Sequence, residues 1–213
     1  GRVLTAGFIA PMNQLGLVEV GAVARSRDGS PKESGITFDP SYAFNPESSL
    51  LPFARKGGIT HTVVEPSGEG LFVGQAFVAN LSGDYDSVVK PGAAIVAEFG
   101  ANSKDSRATN LLSFIDKLEE QQKKLEKASK KKADKKDDKE PSKEEKLLTS
   151  LLKGEMPIVV EASRATDILH LIKIKKDFGL NMVLAWAIDA VQVKEQLAEA
   201  GIPVIIRVMD NLP

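Results

Sequence analysis

Cysteine is missing altogether from the 213-residue sequence. Disulfides, thiolate metal sites and cysteine nucleophiles are thereby excluded, and either redox compartment stays open. Histidine occurs twice, as His61 and His170, and tryptophan once, as Trp186. An excess of either charge is also lacking: 28 Lys and Arg against 29 Asp and Glu leave a formal net charge of −1. No global field draws the chain to nucleic acid or to an anionic membrane. No apolar run approaches the roughly 18 residues of a membrane span, so no membrane partner is expected. No secretory leader is visible, and the compartment stays open between cytoplasmic and periplasmic or exported. The sequence starts at Gly1-Arg2 and runs at once into an apolar strand, so a segment upstream is expected.

What is present is ordinary for a soluble globular protein: 42% hydrophobic and 27% charged residues, enough to bury the core of one large domain. The clearest pattern lies near the C-terminal end. Residues 157–160 (PIVV) form a short apolar run, as in a strand buried on both faces. Thr166 or Ser163 caps the helix that follows. Ile168, Leu171, Ile172 and Phe178 recur there at helical spacing, and Gly179 stands where a left-handed C-terminal residue belongs. Residues 182–188 (MVLAWAI) read as a second buried strand. Asp189 is a good N-cap for a helix through Ala200 that Gly201 ends, and residues 202–208 (IPVIIRV) read as a third strand. Short connections in a β-α-β-α-β run imply parallel strands.

The first half follows the scheme less regularly. Residues 3–9 read as a strand, and residues 48–56 as a short helix with Pro52 in its first turn and Gly57-Gly58 as its stop. Residues 59–65 (ITHTVVE) form a β-branched strand before a glycine-rich turn at 66–70. Residues 72–81 read as a strand or a hairpin arm, and residues 93–99 (AAIVAEF) as an apolar strand. The stretches 25–35 and 83–92 read as loops. Residues 1–102 are thus expected to hold the first barrel strands and loops, and residues 154–213 the β-α-β-α-β portion of the same barrel. Between them, residues 103–153 form a charged insertion, helical or disordered. From 116 to 146 it carries 12 Lys and 10 Asp or Glu. Leu111, Leu112, Ile115, Leu118 and Leu125 give it an apolar face that ends at Leu125. Residues 128–143 are almost wholly charged, with Pro141 as a breaker, and read as a solvated excursion. Ser142 and Glu145 form a capping box where a helix restarts.

One motif carries more than the rest. Residues 4–20 (LTAGFIAPMNQLGLVEV) resemble the first barrel strand of metal-dependent amidohydrolases, roughly P-G-[FL]-I-D-x-H-x-H-x-G, with Gly7, Phe8, Ile9 and Gly16 in register. Further matches follow in order: Asn45-Pro46, residues 54–60 (ARKGGIT), residues 64–68 (VEPSG) with Gly74-Gln75-Ala76, and Ser106-Arg107-Ala108. Last come residues 156–165 (MPIVVEASRA) and 200–205 (AGIPVI). Together they resemble imidazolonepropionase-like members of the amidohydrolase superfamily over nearly the whole chain apart from the insertion.

The resemblance implies an α/β fold, here a partial TIM-like (β/α) barrel of metal-dependent-hydrolase type with parallel strands. It also implies one or two divalent metals such as zinc at the C-terminal strand ends. Its ligands are a His-x-His pair on strand one, a lysine or glutamate on a middle strand, histidines on strands five and six, and an aspartate on strand eight. The metal activates a water that attacks a C–N bond. In this chain Met12 and Gln14 flank Asn13 where the histidine pair belongs, and Glu161 follows Val159-Val160 at the strand-five position. Ala185-Trp186-Ala187 occupy the strand-six position, and strand eight lies beyond Pro213. No metal site or cofactor is predicted from the residues themselves.

Candidate catalytic groups are Glu161, Asp189 and His61, and candidate binding groups are Asn13, Gln14 and Glu161. Each has a plainer reading. His61 suits a hydrogen-bonded core or interface, Asp189 a helix cap, and Trp186 the core. His170 lies on an outer helix. The turn at 66–70 lacks the Gly-Lys-Ser/Thr ending of a phosphate loop, and Ser67 lacks a nucleophile elbow. Two functions follow: a hydrolase of non-peptide C–N bonds in small cyclic amides, by resemblance, or a catalytically inactive relative that binds a small molecule or serves as a scaffold. Closing a barrel takes eight strands. An open sheet exposes parallel edges, so a homo-oligomer or a portion of a longer chain is expected.

Overall fold

The apolar runs ending at Val64, Glu98, Glu161 and Ala185 become strands of one sheet. A computed structural model describes residues 3–33, 35–100, 104–130 and 140–206. Its strands are β1 (Phe8–Asn13), β2 (Ile59–Val64), β3 (Phe72–Asn80), β4 (Val88–Glu98), β5 (Ile158–Glu161), β6 (Met182–Ala185) and β7 (Val204–Ile205). Its helices are α1 (Leu50–Lys56), α2 (Arg107–Lys130), α3 (Lys143–Leu152), α4 (Ala165–Phe178) and α5 (Lys194–Glu199). The strands lie side by side in chain order. β1 and β2 are parallel, β3 is antiparallel to both neighbours, and β4 to β7 are parallel.

The antiparallel β3 has a simple cause. A parallel return needs a crossover of a dozen residues or more, and the short turns at 65–71 and 81–87 only reverse the chain. Residues 72–81 are therefore a hairpin arm. The pairing also draws in part of the expected loop at 83–92, because β4 already begins at Val88. Pro91 and Gly92 sit at an interruption in the β3–β4 register, and Gly92 takes φ +54. Where connections are long enough for a helix, the chain crosses over and stays parallel.

Alternation along the strands gives the sheet two apolar faces. On the outer face Ile95, Ala97, Ile158, Val160 and Leu184 pack against Phe114, Leu118, Leu148, Leu151, Ile168 and Leu171 of the helices. On the inner face Val96 and Val159 cluster with Val73, Ala76 and Ala94. Met12 of β1 and Ile205 of β7 join this inner cluster from opposite ends of the sheet. The sheet therefore curls into a barrel shape, mostly parallel and nearly closed, in agreement with the partial TIM-like barrel expected.

The charged α2 is tied to this body by its first half. Phe114 is fully buried, with its ring 5.8 Å from Phe72 and 5.5 Å from Phe99, both edge-on. The expected Ser142–Glu145 capping box forms at the start of α3. The most charged stretch, residues 131–139, lies outside the described residues, as does the end of the strand expected at 202–208. Two further elements are shorter than their sequence pattern. β6 stops at Ala185 because Trp186 turns out of the extended region at φ +56. The helix expected from Asp189 to Ala200 is a 3₁₀ segment, Ile188–Val193, followed by the short α5.

Candidate functional site

Three strands of the sheet finish on a similar pattern, two apolar residues and a glutamate at the strand end or just after it: Val63-Val64-Glu65, Val96-Ala97-Glu98 and Val159-Val160-Glu161. β2, β4 and β5 run in the same direction, so these glutamates collect at one end of the barrel. Glu98 and Glu161 are in register on adjacent strands, and Ala185 is the next residue in that row. Counting by twos from Val96 and Val159 places both glutamates on the inner face. They open into a cavity of about 680 Å³ that Glu65 shares. Met12 and Gln14 close it on the β1 side, and Trp186, Ile188 and Ile205 on the side of β6 and β7. This is the C-terminal end of the parallel strands, where (β/α) barrels place their chemistry.

Glu98 is 4% exposed and Glu65 6%. The Glu98 carboxylate accepts from the N–H of Gly100, where the lack of a side chain permits the close approach. Burial pushes the Glu161 carboxyl up to about 9, helped by its hydrogen bond to Glu98 and by the charges of Glu65 and Glu98. The neighbouring indole N–H of Trp186 opposes the rise. At neutral pH the Glu161 carboxyl therefore holds a proton.

The backbone at the cavity is unusual in two places. Met12 (φ +43) and Trp186 (φ +56) are the described non-glycine residues with positive φ. A side chain there costs about 1–3 kcal/mol, and both residues line the cavity.

The structure brings Asn13, Gln14 and Glu161 to this one cavity. Asn13 is also held in place: its Nδ2 donates to Thr62 Oγ1 at 2.6 Å and its Oδ1 accepts from the Leu15 N–H at 3.0 Å. Gln14 half-faces the cavity, with its backbone carbonyl accepting from Leu17 and Val18. His61 has the inner-face parity of Val63 and Glu65, but it lies four residues before Glu65, about 13 Å along the strand. Its Nδ1 sits 3.1 Å from Thr60 Oγ1. Asp189 caps a helix other than the one expected. Its Oδ2 accepts from the Ala165 N–H of α4 at 3.1 Å, and its Oδ1 accepts from Gln192 Nε2 at 3.2 Å. Neither Thr166 nor Ser163 supplies that cap. Ser67 hydrogen-bonds Ser30 at 2.6 Å and ties the 66–70 turn to the loop at Gly29. Glu65 and Glu98 are the groups that the motif reading passed over. The repeated strand-plus-glutamate ending is the signal that marks them.

The zinc centre implied by the resemblance does not fit these residues. The first position of its histidine pair holds Met12, a thioether 6% exposed within the inner apolar cluster. The strand-five position holds Glu161, bonded to Glu98. Among the described residues no group of three or more His, Asp or Glu side chains is placed to hold a metal ion.

No family model and no curated protein matches the chain. Among solved structures, the crystal structure of an amidohydrolase from Thermotoga maritima MSB8 superimposes with a TM-score of 0.83 at 25% sequence identity. The match takes in 95% of this chain and 57% of that one, so the chain spans a little over half the length of the amidohydrolase it resembles. With this neighbour, the curled sheet and the cavity at its strand ends identify the fold as amidohydrolase-like.

Proposed function

We propose that this chain forms the pocket of an amidohydrolase-like hydrolase that cleaves a non-peptide C–N bond in a small molecule. The observation that carries the reading is the in-register Glu98–Glu161 pair, in a cavity at the C-terminal strand ends of an amidohydrolase-like barrel. The imidazolonepropionase-like motifs narrow the substrate to small cyclic amides, which a cavity of about 680 Å³ accommodates.

The pair supplies acid–base chemistry by itself. Glu98 takes a proton from water as the oxygen adds to the amide carbon. Glu161 gives its proton to the nitrogen as the C–N bond breaks, leaving an acid and an amine. A carboxyl raised toward neutrality is suited to that donation. Met12, Trp186 and Ile205 shield the reacting groups from bulk water on the apolar side.

Incubation of the purified chain with a panel of cyclic amides, read by mass spectrometry, tests the reading. The expected product is substrate plus one water, and Glu98→Gln or Glu161→Gln lowers turnover by about 100-fold or more. No turnover of any member by folded protein sinks the hydrolase reading. That result leaves a binding or scaffold protein, which the Met12 and Gln14 replacements favour.

A further inference from the structure

The cavity is lined at the places where the resembled family holds its metal, but the residues there differ from that family's ligands. We infer that this pocket works without a divalent metal: Met12, Glu161 beside its register partner Glu98, and Ala185 stand where metal ligands would, and they do not make a ligand set. The inference rests on taking this cavity as the functional site, and it goes beyond the hydrolase reading by excluding the cofactor which that reading would otherwise import.

Four observations on different strands agree. On β1 the first ligand position is Met12, a soft thioether packed into the inner apolar cluster with Val73 and Ala76, whereas zinc takes imidazole and carboxylate. On β4 and β5 the carboxyl groups of Glu98 and Glu161 are register partners, and the N–H of Gly100 takes a Glu98 oxygen that a metal would need. On β6 the row continues as Ala185, which has no donor atom. After it, Trp186 turns its indole N–H, a donor and not a ligand, to Glu161. Bridging a cation between two carboxyl groups requires both to be ionised.

The test uses the whole chain, purified without chelator. Plasma mass spectrometry is expected to find zinc, manganese and iron well below one equivalent. Calorimetric titration with Zn²⁺ or Mn²⁺ at neutral pH is expected to show no saturable site that depends on Glu98 or Glu161. Infrared spectra should show a protonated-carboxyl C=O band in the wild type that Glu161→Gln removes. Near-stoichiometric metal that EDTA strips with a fall in Tm overturns the inference. So does saturable binding that Glu98→Gln and Glu161→Gln both abolish while circular dichroism shows them folded. Metal lost on His170→Ala but kept in the two glutamate variants is surface binding and supports the inference. None of these readouts records turnover. A chain that hydrolyses nothing yet holds no metal therefore fails the hydrolase reading alone, and a metal-loaded active enzyme fails this one alone.

Discussion

Glu161 is a carboxyl kept neutral, and that has a consequence for stability. Between its ordinary value of 4.5 and about 9, the folded chain holds a proton on Glu161 that the unfolded chain has released. Fewer protons bound on unfolding means that stability falls as pH rises through this window. Glu161→Gln removes the titration while keeping a hydrogen-bonding neutral group. Urea unfolding should show the variant gaining on the wild type by up to about 4 kcal/mol between about pH 5 and about pH 8, since each pH unit inside the window is worth about 1.4 kcal/mol. A constant difference across that range rejects the placement of the proton. The same residue shows what the sequence discloses at this scale. Glu161 is reachable because it stands at a ligand position of a resembled family. Glu65 and Glu98 end equally apolar strands, but an isolated Val-Val-Glu is also how any strand leaves a core. Only the curl of the sheet brings the three side chains to one cavity.

At the scale of elements, the β5–α4–β6 unit is read directly from its apolar runs, its helical spacing and Gly179, which takes φ +68 at the end of α4. The direction of β3 is not readable from its composition; turn length decides it. The role of Asp189 is likewise non-local, because a residue before α5 caps α4. Asp189→Ala is expected to lower stability by about 1 kcal/mol, the usual cost of a lost helix cap. Asp189→Asn, which keeps the acceptor, should recover most of it. An unchanged Tm in Asp189→Ala with a collapse in hydrolysis would move Asp189 from cap to chemistry. The charged insertion gives a second case. Its apolar face is read from Leu111, Leu112, Ile115, Leu118 and Leu125, yet Phe114, outside that set, is fully buried against the sheet together with Leu118. Phe114→Ala is expected to cost about 3–5 kcal/mol in urea unfolding, the range for a buried aromatic. A loss below 1 kcal/mol, small against the ordinary cost of a core truncation, would mean that α2 is an appendage.

At the scale of the whole molecule, the barrel type follows from the order of motifs along the chain, and those motifs mark turns more than chemistry. Gly16 takes φ +75 with the Phe44 ring against it, and its carbonyl accepts from the N–H of Asn45, another matching residue. The scaffold residues agree with the resembled family where the ligand positions differ. That is the pattern expected when local backbone geometry constrains a sequence more tightly than its reaction does. The described sheet has seven strands where a closed (β/α) barrel takes eight. Among the described residues β1 pairs with β2 alone and β7 with β6 alone, so each presents an edge. The β1 edge is apolar: Phe8 is 57% exposed and Ile9 64%. An apolar edge with unpaired backbone groups is a template for another strand, and lysine on the edge is the usual protection against it. Sedimentation velocity of this chain should therefore show concentration-dependent self-association. Ile9→Lys should weaken it by about tenfold, or about 1.4 kcal/mol, without changing the unfolding midpoint of the monomer. A wild-type chain that stays monomeric at every concentration would require both edges to be covered from within the same polypeptide, and the open sheet would then be the wrong description of the molecule in solution.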